Sequence, residues 1–98
     1  MTLRKSEEGC ILTVAPQGRL DSATSGDFES FLQESFTKEF EELVLDFAEV
    51  DFISSKGLRV LVSQYKNLQG RKMKIINANA TVVEVLRLSG LLKYFAVE

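Results

Sequence analysis

The sequence predicts an α/β domain built on a mixed β-sheet with parallel crossovers. The order of patterns along the chain is an apolar hairpin followed by helices that alternate with strands. Leu43–Phe47 is an almost continuous apolar run, which is typical of a central strand covered on at least one face. The chain has 98 residues, of which 45% are hydrophobic and 27% charged, and its composition does not change abruptly anywhere. We therefore expect residues 1–98 to form a single domain.

Two paired strands and a helix are predicted at the start of the chain. Weak alternation over Thr2–Ser6, turn residues at 7–9 and an apolar run over Cys10–Ala15 form a hairpin pattern. Pro16–Gly18 is expected to end the second strand. A helix follows and begins between residues 21 and 25. Its apolar residues have helical spacing and predict one buried stripe: Phe28, Phe31, Leu32 and Phe36.

The middle of the chain predicts two strands and a second helix. Leu43–Phe47 is the central strand, and Phe52–Ile53 adds a short extended piece. A helix is predicted from about Ser55 to Gln69, and Gly70 is placed as the glycine that follows its end. One face of this helix is apolar and is expected to be buried: Leu58, Leu61, Val62, Tyr65 and Leu68.

The last third predicts one more strand and a third helix. Arg71–Asn77 has the pattern of a strand, and its basic residues at 71, 72 and 74 are expected to be its solvated start. A capping box at Thr81–Glu84 marks the third helix, which stops at Gly90. Leu91–Val97 closes the chain with a short apolar segment.

The charge of the chain gives no reason to expect an anionic partner such as nucleic acid. Twelve Lys and Arg residues against fourteen Asp and Glu residues give a formal net charge of −2, with the two signs interspersed. We therefore expect neither direct nucleic-acid binding nor membrane binding by charge. No stretch approaches the ~20 apolar residues that span a bilayer, so no membrane insertion and a cytoplasmic location are expected.

The cysteine and histidine counts weigh against an enzyme. Cys10 is the only cysteine, so neither an internal disulfide nor a cysteine-based metal site is possible, and Cys10 is expected to be a small core residue. The chain has no histidine. This removes the Ser-His-Asp and Cys-His nucleophile systems, the histidine-containing zinc motifs and the usual general base near neutral pH. We therefore expect no catalysis.

No cofactor or metal site is predicted. The chain has neither a Walker A loop nor a GxGxxG fingerprint, and its six glycines are scattered. Asp46, Glu49 and Asp51 cluster after the central strand, where a magnesium site is conceivable. Loop solvation and turn chemistry are the favoured interpretation of these three carboxylates.

The segment Phe52–Leu61 places two adjacent hydroxyls at the junction of a strand and a helix. On spacing alone, the simplest interpretation is that Ser54 caps the helix and Ser55 is exposed nearby. A phosphoryl group on a serine here would lie near unsatisfied N–H groups and the positive end of the helix dipole. It would add about −1.5 to −2 charges. Gly57 would let a kinase or partner approach the backbone closely.

Four short motifs extend over nearly the whole chain. They are Gly18–Asp21 before the first helix, Leu43–Phe47 followed by Val50–Ile53, then Ser54–Leu58, and Leu86–Leu91 with its Ser-Gly-Leu ending. Their order and spacing resemble those of STAS domains, in particular the stand-alone anti-sigma factor antagonists of bacteria. The resemblance implies a small mixed sheet with helices mainly on one face, and no catalysis by the domain itself.

The resemblance also implies a mode of regulation. An unmodified antagonist of this family binds an anti-sigma factor, commonly a serine kinase of the histidine-kinase-like ATPase fold, and so frees the sigma factor. Phosphorylation of a serine at the start of the second helix abolishes that binding, and a separate serine phosphatase restores it. By motif position the phosphorylated residue is Ser55, and the partner surface around it maps to these residues: Asp21, Ser54, Lys56, Gly57 and Arg59.

Two positions depart from the family pattern. The family most often has Asp directly before the phosphorylated serine, where this chain has Ser54, so Ser54 is the second candidate for phosphorylation. A small hydroxyl residue usually follows, where this chain has Lys56, whose charge could pair with a phosphate or contact an acidic partner. Asp21 fits a helix N-cap as well as a contact role.

Two other functions stay open on the sequence. The chain could be a STAS subunit of another complex, such as a signalling scaffold or an accessory subunit of a lipid-transport machine. It could also be a phosphoryl-transfer receiver that uses Asp46 or Asp51, although the chain is short for such a domain.

Overall fold

The structure is a computed structural model that describes residues 1–98, and it is organised around one six-stranded sheet. The strands are β1 (Thr2–Glu8), β2 (Ile11–Leu20), β3 (Glu42–Asp46), β4 (Val50–Ile53), β5 (Lys72–Ile76) and β6 (Ala96–Val97). They lie in the order β1-β2-β3-β5-β6, and β4 pairs with the end of β2. The β1–β2 pair is antiparallel and every other pair is parallel, so the predicted mixed sheet is confirmed.

Three helices connect the parallel strands, as crossover connections require. They are α1 (Ser25–Ser35) between β2 and β3, α2 (Ser55–Lys66) between β4 and β5, and α3 (Ala80–Leu88) between β5 and β6. A short 3₁₀ turn, Leu91–Lys93, precedes β6. The predicted α/β class is therefore confirmed.

One face of the sheet supplies most of the core. The strand register aligns inward-facing apolar residues in rows across three neighbouring strands: Leu12 with Leu43 and Met73, and Val14 with Leu45 and Ile75. They belong to one cluster of 21 buried residues that also takes in the buried faces of the helices, including Phe28, Leu61 and Leu86. The helices therefore pack mainly on this face of the sheet.

Strand β2 is longer than predicted, because Pro16 does not end it. The strand pairs with β3 over Ile11–Val14 and with β4 from Gly18 onward, so Pro16 lies where β2 passes from one parallel neighbour to the other. A missing N–H there removes no bond to either neighbour. The pairing shifts between Gly18 and Arg19, where Gly18 has a φ of 104°. This bulge redirects the end of β2 towards β4.

Three local predictions were wrong. Cys10 is exposed in the turn between β1 and β2, and not in the core. Helix α2 ends at Lys66 and not at Gln69: Asn67 is its C-cap, the Leu68 N–H donates to the Tyr65 carbonyl three residues back, and Gln69 has a left-handed φ of 54°. Tyr65, expected on the buried face of α2, is 38% exposed, whereas Gln64 is buried.

Arg71 is a structural anchor rather than the solvated start of β5. Its Nε donates to the Leu68 carbonyl at 2.9 Å, and its Nη1 donates to the carbonyls of Thr37 and Phe40 at 2.8 and 3.1 Å. Its guanidinium lies 4.1 Å from the centre of the Phe36 ring. Arg71 thus ties the loop after α1 to the loop after α2.

Candidate functional site

The site lies where β2 and β4 end side by side. Leu20 pairs with Ile53, the last residue of β4, and the Ser54 N–H donates to the Leu20 carbonyl at 2.8 Å. The strands are parallel, so the residues that follow, Asp21 and Ser54, leave the same edge of the sheet. The carboxyl ends of parallel strands are where α/β sheets commonly place their sites.

Ser54 is the N-cap of α2. Its backbone is extended, with φ −95° and ψ 177°, and its Oγ accepts a long hydrogen bond of 3.5 Å from the Gly57 N–H. Its carbonyl accepts the first helical bond, from the Leu58 N–H at 2.9 Å. The predicted cap is therefore confirmed, and the Ser54 side chain is engaged with the helix.

Ser55 is the first residue of α2 and is exposed. Its hydroxyl has no hydrogen-bond partner within the chain. A first-turn position brings the hydroxyl near N–H groups that have no partner inside the helix. Ser54 and Ser55 therefore differ in what their side chains do: one oxygen caps the helix, and the other is available to solvent.

Asp21 organises the turn between β2 and α1. Its Oδ1 accepts from the Ala23 N–H at 3.0 Å, and its Oδ2 lies 3.6 Å from the Nε of Arg19. The Ala23 bond is the main cause that lowers the pKa of the Asp21 carboxyl below its ordinary value of 3.8, and Thr24 and Arg19 contribute in the same direction. The carboxylate stays charged near neutral pH.

The N-cap of α1 is Thr24, and not Asp21 as the sequence allowed. The Thr24 hydroxyl points back from the helix and donates to the Arg19 carbonyl at 2.6 Å. The Arg19 guanidinium stacks 4.7 Å from the centre of the Phe52 ring, which belongs to β4. Arg19 and Phe52 thus fix the two strand ends relative to each other, a contact that the sequence did not reveal.

The remaining predicted partner residues divide into two exposed side chains and one buried glycine. Lys56 and Arg59 are exposed on α2. Gly57 is buried, and a Cβ atom there would lie 2.8 Å from both Ile53 Cγ1 and the Leu20 carbonyl oxygen. Gly57 therefore serves the close packing of α2 against the strand ends and offers no side chain to a partner.

A small pocket joins α1 to the start of α2, and it contains an acidic residue that the sequence did not single out. Glu29 and Gly26 of α1 line it together with Lys56 and Arg59 of α2. Glu29 could have been found from the sequence only by knowing that α1 and α2 are neighbours. The exposed surface around Ser55 is therefore made by two helices and not by the serine segment alone.

Of the three carboxylates after the central strand, Asp46 is used in local structure. Asp46 Oδ1 accepts from the Ala48 N–H and from Asn77 Nδ2, both at 3.1 Å. No group of three His, Cys, Asp or Glu side chains in residues 1–98 is arranged to hold a metal ion. None of the three helices is both long and apolar enough to cross a membrane.

Comparison with known proteins places the chain in a family. Residues 3–98 match the model of the STAS domain. The chain belongs to the STAS domain family. A relative from Paenibacillus polymyxa named anti-sigma F factor antagonist is 31% identical over 90 residues, a match that covers 89% of this chain and 77% of the relative. BtrV of Bordetella bronchiseptica is 33% identical over 90 residues, with the same coverage.

Solved structures share the fold of this STAS domain at lower identity. An anti-sigma factor antagonist from Mycobacterium paratuberculosis superposes with a TM-score of 0.90 at 23% identity, over 98% of this chain and 83% of that one. The antagonist SpoIIAA in its unphosphorylated form gives a TM-score of 0.83 at 16% identity, over 99% of this chain and 88% of that one. At these identities the likeness concerns the fold.

Proposed function

We propose that this STAS domain is an anti-sigma factor antagonist whose binding is switched off by phosphorylation of Ser55. The unmodified form binds an anti-sigma factor that is also a serine kinase, and binding frees the sigma factor. A serine phosphatase restores the unmodified form. The domain itself catalyses nothing, and it works in the cytoplasm, where the kinase has ATP. The names of its relatives support the class of function.

The observation that carries the choice of Ser55 is the contrast with Ser54. The Ser54 Oγ accepts the capping bond from Gly57 and is half-buried, whereas the Ser55 hydroxyl is exposed and has no partner. A kinase must align the attacking hydroxyl with the γ-phosphate, and only the Ser55 hydroxyl can be approached without opening the cap. The helix N-terminus also favours the added negative charge.

The fold accommodates a phosphoryl group in at least one neighbour. SpoIIAA of Bacillus has a structure in the phosphorylated form, and it superposes on this chain with a TM-score of 0.75. We infer that phosphorylation of this chain changes the charge of an exposed surface and leaves the domain folded. Binding would then be lost through the interface rather than through unfolding.

The first experiment identifies the partner and the phosphorylated residue. The tagged Ser55→Ala variant is used to capture proteins from its own cells, since it cannot be switched off at that position. The captured anti-sigma factor is then expressed, purified and incubated with wild-type protein and ATP, and the site is mapped by mass spectrometry. We expect phosphate on Ser55. Phosphate on Ser54 alone, no phosphate, or capture of a transporter ATPase or a large scaffold instead would contradict the proposal.

The second experiment measures what the charge does to binding. We expect Ser55→Asp to weaken binding to the purified anti-sigma factor at least about tenfold, or about 1.4 kcal/mol. Ser55→Asn has the same size without the charge and is the matched control. Equal affinities for wild type and Ser55→Asp would contradict a charge-operated switch.

A further inference from the structure

A groove runs along α2 from Ser55 towards the end of the helix. The residues of α2 that line it recur at intervals of three and four, so they form one stripe of the helix surface: Ser55, Leu58, Arg59, Val62, Ser63 and Lys66. The groove has a volume of about 530 Å³. From Ser55 to Lys66 this stripe of α2 is about 17 Å long, or about three helical turns, at a rise of about 1.5 Å per residue.

The groove is bordered by cations that form no ion pair. Helix α2 carries Lys56, Arg59 and Lys66 and has no acidic residue. The ion pairs of the chain lie elsewhere and join Arg19 to Asp21, Lys74 to Glu98 and Arg87 to Glu84. Glu29 is the one acidic residue that lines the groove. A chain with a net charge of −2 thus presents a local excess of positive charge along α2.

The same groove has an apolar side that continues beyond it. Leu58 and Val62 are half-buried and pack against the core cluster. A second cavity of about 400 Å³ shares four residues with the groove, among them Val62 and Lys66. It adds three aromatic rings, of which Tyr65 and Tyr94 are exposed and Phe95 is buried. These tyrosines are 38% and 50% exposed, and their ring centres lie 5.4 Å apart. Exposed aromatic side chains of this kind are enriched at protein interfaces.

We propose that this groove docks an acidic amphipathic segment of the anti-sigma factor. The apolar residues of that segment would pack on Leu58, Val62 and Tyr94. The carboxylates of the segment would pair with Arg59 and Lys66, because complementary charge at the rim of an interface directs association. The inference rests on the proposed function and extends the contact surface from the start of α2 to its end. Ser55 lines the same groove, so its phosphate would repel the carboxylates that the groove selects.

The test reverses the charges of the groove and leaves Ser55 intact. The double variant Arg59→Glu/Lys66→Glu is compared with Arg4→Glu/Lys38→Glu, which makes the same change of charge at exposed positions outside the groove. Affinity for the purified anti-sigma factor is measured by calorimetry at low and high salt. We expect the groove variant to bind at least about tenfold more weakly, the control to bind within about twofold of wild type, and the wild-type affinity to fall with salt.

A second variant keeps the test valid if charge reversal disturbs α2. Arg59→Gln/Lys66→Gln removes the charges with good helix formers, and its thermal unfolding and circular dichroism report whether the fold is retained. We expect it to bind with an affinity between those of wild type and the charge-reversal variant. Chemical-shift changes in labelled protein on titration with the anti-sigma factor should include Val62 and Tyr94.

The outcomes separate this inference from the proposed function. If Ser55→Asp abolishes binding while both groove variants bind as wild type does, the groove proposal is wrong and the proposed function stands. If the chemical shifts of Val62 and Tyr94 change when the chain alone is concentrated, a second copy of the chain occupies the groove. That result would also overturn the groove proposal. If wild-type protein binds no anti-sigma factor, both proposals fail.

Discussion

Among single residues, Gly57 shows how close packing positions the exposed serine next to it. A Cβ at Gly57 would meet backbone and side-chain atoms at 2.8 Å, so the helix must sit against Leu20 and Ile53 without one. Ser54 and Ser55 lie within three residues of this contact. The exposed hydroxyl is therefore held on a helix start that is fixed by a buried glycine.

We expect Gly57→Ala to destabilise the domain by about 1–2 kcal/mol, because the overlap outweighs the higher helix propensity of alanine. Gly26 is the matched control, since it lies in the first turn of α1 and a Cβ there would meet nothing within 4 Å. Gly26→Ala should be neutral or slightly stabilising. Urea unfolding of both variants measures the two effects. Equal stabilities of the two variants would show that the contact at Gly57 relaxes without cost.

The lowered pKa of the Asp21 carboxyl predicts that the stability of the domain depends on pH. This pKa is lower in the folded protein than its ordinary value of 3.8, mainly because the Ala23 N–H donates to the carboxylate. The stabilisation is complete above the unfolded pKa and is lost as pH falls through the folded pKa. We therefore expect wild type to unfold at a higher temperature than Asp21→Asn at pH 6, and the difference to shrink below pH 3.8. A difference that is constant from pH 6 to pH 2.5 would contradict this.

Among the elements, α3 has a different N-cap from the one that the sequence pattern predicted. The pattern Thr81–Glu84 predicted a capping box, but the N-cap is Asn79, whose Oδ1 accepts from the Val82 N–H at 2.8 Å. Asn79 Nδ2 also donates to the Val50 carbonyl at 3.1 Å and so ties α3 to β4. Glu84 instead accepts from Arg87, whose Nε lies 2.7 Å from the Glu84 Oε1. The helix is therefore capped two residues earlier than the pattern predicted, by a side chain that also contacts β4.

We expect Asn79→Ala to lower the free energy of unfolding by about 1–2 kcal/mol, since it removes the cap and the bond to β4. Thr81→Ala is the control. Thr81 is exposed and makes no capping bond, so its loss should cost less than about 0.5 kcal/mol. Thermal or urea unfolding gives both values. A larger loss of unfolding free energy for Thr81→Ala than for Asn79→Ala would contradict this and favour the capping box that the sequence predicted.

The sequence predicted those features of the fold that depend on neighbouring residues in the chain, and missed those that depend on contacts between distant elements. The apolar runs and periodic stripes predicted β1 to β5 and the three helices, because burial imposes their spacing directly, but they did not predict β6. Strand β2 was predicted too short and α2 too long, because Pro16 is tolerated only by its position between two neighbours and Gln69 adopts a left-handed φ. Sequence placed the Ser54 cap correctly. It could not reveal Glu29, Phe52 or Tyr94 around the site, because their proximity depends on how elements pack.

For the whole molecule, the arrangement separates the core from the surface that would be modified. The 21-residue core cluster lies between the sheet and the helices, whereas Ser55, Lys56 and Arg59 are exposed on α2. Arg71 and Asn79 lie beyond the two ends of β5 and donate to loop and strand carbonyls. A change of charge at Ser55 therefore alters the exposed face of α2 without breaking a buried contact.

We therefore expect phosphorylation of Ser55 to leave the fold and its stability nearly unchanged. A phosphate at the first position of α2 meets unpaired N–H groups and the positive end of the helix dipole, which offsets its repulsion by nearby acids such as Glu29. The melting temperature of purified phosphoprotein should lie within about 4 °C of that of the unmodified form, equivalent to less than about 1 kcal/mol. Amide shifts should change along α2 and at the start of α1, and not in β3 or β5. Widespread shifts or early melting would mean that the modification acts by unfolding the domain.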